Sequence, residues 1–279
     1  MKVLATNQNL KHIGDVAKVL RITLFLYVVA FCLKLKKGAV ISSVLVVENG
    51  LSEQFSFWIE KNIAILLLLC LLGMFFKATY KLSSVVITFF LISYSLLTYF
   101  NGGKAFLELA LISAISKWWL PVLTLYAFSC IYNRQQYLNR WFTVAIQFSI
   151  FLIFVAHGVG CFLKNGIYVD YIIGFVRDYT PFSIKQGDAE ALLNVIGIID
   201  ILVAVLVLIK PFKYLLYWLI FWGFLTSLLR IVDASILNYV EFLMRVPHFG
   251  LPLVLLLAYK HKIKSDHHSS DPNPSLSKS

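Results

Sequence analysis

Charge is what this chain has least of. Only 14% of its 279 residues are Asp, Glu, Lys or Arg, where a soluble globular chain carries about a quarter, so water is not its main solvent. The motifs of common soluble enzymes are missing too. There is no Walker loop, no Gly-x-Ser-x-Gly elbow, no His-Glu-x-x-His and no dinucleotide glycine pattern, which removes the nucleotide-binding, hydrolase and zinc-protease classes those motifs mark. Cys32, Cys70, Cys130 and Cys161 have no Cys-x-x-Cys spacing, which excludes thioredoxin-like and zinc patterns. They fall inside or at the ends of apolar runs and are expected as buried free thiols; a Cys32–Cys161 disulfide is the alternative. After the first apolar run, Val19 to Leu33, come Lys34, Lys36 and Lys37 instead of a small-residue cleavage site, so the run reads as an anchor helix and not a removable leader.

What is present is apolar and aromatic: 59% hydrophobic residues, 15% aromatic with 23 Phe and 14 Tyr, and a mean hydropathy of +0.80. A net charge of +11 raises nucleic acid as a partner, but the basic residues sit in short loops and at the two ends, without the stripe such binding needs. Lipid is the expected surrounding.

A helix needs about 20 mostly apolar residues to cross a hydrocarbon core about 30 Å thick. Eight runs qualify, approximately 16–34, 62–76, 82–100, 117–132, 141–163, 189–209, 214–234 and 239–259. The predicted fold is an all-α polytopic transmembrane bundle. With the N-terminus inside, Lys2, Lys11, Lys18 and Arg21, then Lys77/Lys81, Arg134/Arg140, Lys210/Lys213 and Lys260, Lys262 and Lys264 all fall in the cytoplasm. That arrangement obeys the positive-inside rule better than its inverse, although Lys34, Lys36 and Lys37 count against it, and it places both termini in the cytoplasm. Two outside segments, 39–61 and 168–188, are long enough to hold structure. In the second, Tyr168, Tyr171, Ile172 and Phe175 recur at helical spacing, which predicts a short helix on the outer surface.

The spans divide into two similar sets. Leu120-Pro121 with Ala127-Phe128 lines up with Leu251-Pro252 and Ala258-Tyr259, and the basic loops Lys77–Lys81 and Lys210–Lys213 precede the third and seventh spans. This predicts two four-helix units, residues 1–136 and 137–262, in one orientation as a parallel repeat, followed by a disordered tail, 263–279.

Buried polarity is expected in the second unit alone. Ionisable residues inside a membrane face the protein interior and have partners. Glu241, Arg245, His248 and Pro252 are spaced for one helical face, as are Gly223, Thr226, Arg230 and Asp233; the sixth span offers Asn194, Gly197 and Asp200, and the fifth His157. Three chemistries suit this set. Asp200 pairing with Arg230 or Arg245 would fix helix register. Arginines gripping oxygens, with His157 or His248 exchanging protons, would make an anion or quinone-headgroup pocket. Two facing histidines would ligate a b-type haem. No metal site and no resident cofactor are expected.

Residues 140–259 resemble the DoxX-like family of four-helix bacterial membrane proteins. The resemblance rests on Ala156-His-Gly-Val-Gly160, on Ile196-Gly-Ile-Ile-Asp-Ile-Leu-Val-Ala-Val-Leu-Val-Leu208 and on the proline turn with a basic residue. Asp200 stands where that family has its acidic residue; His157 departs from the pattern, as does Cys161 where a Lys is usual. The resemblance implies a bacterial inner-membrane location and a subunit or scaffold role in a redox or stress-response complex, reached through a membrane-protein partner or homo-oligomer. No autonomous enzyme activity is written in the sequence. A small-solute transporter and a quinone- or haem-linked oxidoreductase are the alternatives.

Overall fold

The computed structural model describes residues 2–38, 40–101, 106–135, 138–232 and 236–269. Helices run in the order α1 (Lys2–Lys36), α2 (Val40–Val47), α3 (Glu53–Gly73), α4 (Tyr80–Asn101), α5 (Leu107–Tyr132), α6 (Arg140–Phe162), α7 (Gly166–Tyr179), α8 (Gln186–Ile209), α9 (Lys213–Val232), α10 (Ile236–Met244) and α11 (Val246–Ser269). Among the described residues, eight segments are long and apolar enough to cross a membrane. Their outward faces are apolar as well: Leu69, Phe89 and Leu202 are each more than half exposed, a surface that suits hydrocarbon and not water. The protein is an integral, multi-pass membrane bundle.

The two spans that read as short both lengthen at their N-terminal ends. The second begins at Glu53 and not at Asn62, because Ser52 caps it by accepting from the Phe55 N–H at 3.4 Å, and Glu60 finds a buried partner. Its carboxylate accepts from the Ser42 N–H at 2.9 Å, at the positive N-terminal end of α2. The fourth begins at Leu107 instead of Lys117. The eighth is interrupted: α10 ends at Met244, Arg245 forms a turn and α11 begins at Val246. The single helical face predicted for Glu241, Arg245, His248 and Pro252 therefore does not form, since Glu241 and His248 belong to different helices. The predicted surface helix is α7.

Within the first half α1, α3, α4 and α5 close a ring of neighbours, and α6, α8, α9 and α11 close a ring in the same order. A short helix, α2 or α7, follows the first member of each ring. The rings meet where α1 packs on α10 and α11 and α5 packs on α6, and one hydrophobic core runs through both. Close approaches are made by small residues, as expected where helices have only packing and hydrogen bonds to hold them together in lipid. A Cβ on Gly250 would strike the Thr23 side chain of α1, and one on Gly223 would lie 2.6 Å from the His248 carbonyl oxygen of α11. Arg21, which reads as a cytoplasmic topology signal, lies on α1 with its guanidinium 4.0 Å from the Phe128 ring centroid and 4.7 Å from that of Phe75.

Candidate functional site

The site begins with a pair of glycines. A Cβ on Gly158 of α6 would sit 3.0 Å from the Gly197 carbonyl oxygen of α8, and the reverse distance is also 3.0 Å. With no side chains between them the two backbones meet, and the residues flanking the crossing are brought into contact. His157 Nδ1 lies 2.6 Å from Asp200 Oδ2. The other carboxylate oxygen accepts from Trp222 Nε1 of α9 at 2.8 Å. Asp200 is fully buried, and both its oxygens are hydrogen-bonded, the condition under which a carboxyl group tolerates a low-dielectric interior.

Around this core stand groups from α9 and from two more segments. The Tyr168 ring of α7 lies 5.0 Å from the His157 ring. Arg230 of α9, 8% exposed, holds its guanidinium 4.0 Å from the Tyr171 ring centroid, a cation–π distance. Arg245, in the α10–α11 turn, has a buried Nη1 with no hydrogen-bond partner among the described residues. These groups, with apolar residues of α7, α8 and α9, line a cavity of about 70 Å³.

Sequence and structure agree on part of this set. His157, Asp200, Arg230 and Arg245 come together. His248 is buried on α11 with Nδ1 3.0 Å from the Arg245 carbonyl oxygen and does not line the cavity. Glu241 turns toward α1 and pairs with Lys34 at 3.8 Å. Asp233 lies outside the described residues. The pairing of Asp200 with Arg230 or Arg245 is not made: the carboxylate is filled by His157 and Trp222, and Arg230 is taken up by the tyrosines of α7.

No family model matches the chain, and neither does any curated protein or solved structure.

Four participants were not flagged as site residues in the sequence. Trp222 reads as one more aromatic in an aromatic span, although it shares the spacing of Thr226 and Arg230. Tyr168 and Tyr171 read as surface residues of a peripheral helix. Cys161, one turn after His157, has its Sγ 3.9 Å from His157 Nδ1; with His157 and Asp200 it forms a group whose ligand atoms lie within 4.8 Å of one another. Three donors are fewer than a closed structural zinc site takes and equal to the number in a catalytic one, but here both carboxylate oxygens are already engaged, with His157 and Trp222. The four cysteines are free, and Cys32 donates to the Ala64 carbonyl at 3.5 Å.

Proposed function

We propose that this protein is a quinone-headgroup-binding subunit of a redox complex in the bacterial inner membrane, with both termini cytoplasmic and a DoxX-like second half. The observation that carries the reading is the cavity in which two arginines and two tyrosines meet His157 and Trp222, both hydrogen-bonded to the buried Asp200 behind them. A quinone ring is flat and apolar with carbonyl oxygens at its edge. Tyr171 and Trp222 offer aromatic faces, and Arg230 and Arg245 offer donors that carbonyl or phenolate oxygens accept. His157, held by Asp200, is placed to exchange a proton with a reduced ring. This chain binds and orients the ring and handles the proton; a partner subunit supplies the electrons. The space suits the edge of one ring. Drug-sized ligands occupy pockets of roughly 300–1,000 Å³, and about 70 Å³ is far too small for a haem.

A transporter is less well supported. Below Asp200 the described interior is filled by Ile150, Ile153, Val203, Val207 and Leu219, all buried, and the polar side chains at that level, Gln147 and Ser149, are taken up by backbone carbonyls. The test is a titration of the purified protein in lipid nanodiscs with a short-chain quinone, followed by tryptophan fluorescence. Saturable quenching is expected, at least tenfold weaker in Arg230→Gln, corresponding to about 1.4 kcal/mol. Quenching that does not saturate, or is equal in the variant, contradicts the reading.

A further inference from the structure

The expectation that only the second half carries buried polarity is not met. Between α1, α4 and α5 lies a cavity of about 140 Å³, walled by Tyr27, Phe31, Tyr94 and Trp118, into which Lys117 projects. Most of the polar wall is already satisfied: Trp118 Nε1 donates to Ser95 Oγ at 2.9 Å, and the Ser95 and Thr98 hydroxyls bond to backbone carbonyls of their own helix. Lys117 is different. Its Nζ makes one long hydrogen bond, to Ser113 Oγ at 3.4 Å, and lies 5.8 Å from the Tyr27 ring centroid. Among the described residues it has no carboxylate at ion-pair distance, and Glu241 is paired with Lys34. An ammonium group carries three donors, and one inside a membrane span costs several kcal/mol unless matched.

The cavity occupies a repeated position. At the register that sets Pro121 on Pro252, Leu91 falls on Trp222, Ser95 on Thr226, Thr98 on Leu229 and Tyr99 on Arg230. The first of each pair lines this cavity and the second lines the site in the other half. Lys117 falls on His248, and each precedes its proline by one turn, so each has a carbonyl released from helical hydrogen bonding. Met244 borders one cavity and Arg245, the next residue, borders the other.

We propose that the first-half cavity is a second binding site, for the acidic headgroup of a membrane amphiphile, with Lys117 as the residue that binds the anion. A cavity of about 150 Å³ is large enough to hold benzene, so this one takes a carboxylate and its first methylenes, with the chain running out into lipid. The site stands independently of whether the other half binds a quinone. The experiment is native mass spectrometry of the full-length, delipidated protein in detergent, with oleate, dioleoyl phosphatidylglycerol or oleyl alcohol as probe. One oleate per chain is expected, bound at least tenfold more weakly in Lys117→Met and retained in Lys117→Arg and in His157→Ala. Lys117-dependent binding of phosphatidylglycerol in place of oleate would support the site and assign the acid to a phospholipid. Oleyl alcohol binding as tightly as oleate, or unchanged binding in Lys117→Met, would overturn it. If Lys117→Met does not purify as a single species, Ala114→Leu fills the cavity and keeps the charge; undiminished oleate binding there overturns the proposal equally.

Discussion

Asp200 is fully buried and pairs with no arginine among the described residues; two hydrogen bonds, with His157 and Trp222, hold it in place. Hydrogen bonds to a charged group contribute about 1.5–3 kcal/mol each, and a buried acceptor left without its donor costs about 1–3 kcal/mol. Trp222→Phe keeps the ring and removes only the N–H, so it is expected to lower the melting temperature of the detergent-solubilised protein by several degrees. An unchanged value would show that the indole N–H does not hold Asp200. His157 and Asp200 were legible in the sequence because ionisable residues in apolar spans are rare. Trp222 was not, because an indole's N–H is hidden among the rings that surround it in α9. Lys117 was missed for a different reason: with the fourth span read as beginning at Lys117, the residue looked like its polar boundary, whereas α5 starts at Leu107 and carries it, half-buried, inside the span.

Helix boundaries and crossings follow from small residues that composition alone does not rank. Gly158 and Gly197 touch each other's carbonyls, and Gly223 lies against the His248 carbonyl, whereas a Cβ on Gly174 of α7 would meet nothing within 4 Å. Gly223→Ala is therefore expected to destabilise the protein by about 2 kcal/mol or more, since backbone and not a flexible side chain must move. Gly174→Ala is expected to be neutral, or to stabilise by up to about 1 kcal/mol through helix propensity. Melting curves of the two variants, measured together, check the crossing geometry; equal effects would contradict it. The eight spans were legible because length and apolarity decide them. The break at Arg245 is marked in the sequence by Pro247, which has no N–H to continue the helical ladder and stands in the first turn of α11, but the spacing of Glu241, Arg245 and His248 also fits an unbroken helix and hid it.

At the scale of the whole molecule, the two rings of four spans share a neighbour order, and each holds a cavity at an equivalent place. Sequence similarity between the halves, Leu-Pro on Leu-Pro, pointed to this arrangement but could not show that the cavities differ in chemistry. The orientation proposed from the basic loops has its own test. In a cysteine-free background, Thr180→Cys, between α7 and α8, is expected to react with a membrane-impermeant thiol reagent in intact cells. Arg134→Cys, between α5 and α6, is expected to react only after permeabilisation; the opposite pattern would invert the topology. The central claim is that the His157–Asp200–Trp222 cavity binds a ligand and does not merely lock helix register. A ligand that binds only the folded state raises its stability by about 2.7 kcal/mol at a hundredfold excess over Kd. The most direct measurement is the melting temperature with and without a short-chain quinone, in the wild type and in Arg230→Gln, each compared with its own ligand-free value. A rise in the wild type that is lost in the variant is the predicted result; no rise in the wild type, or the same rise in both, would contradict it.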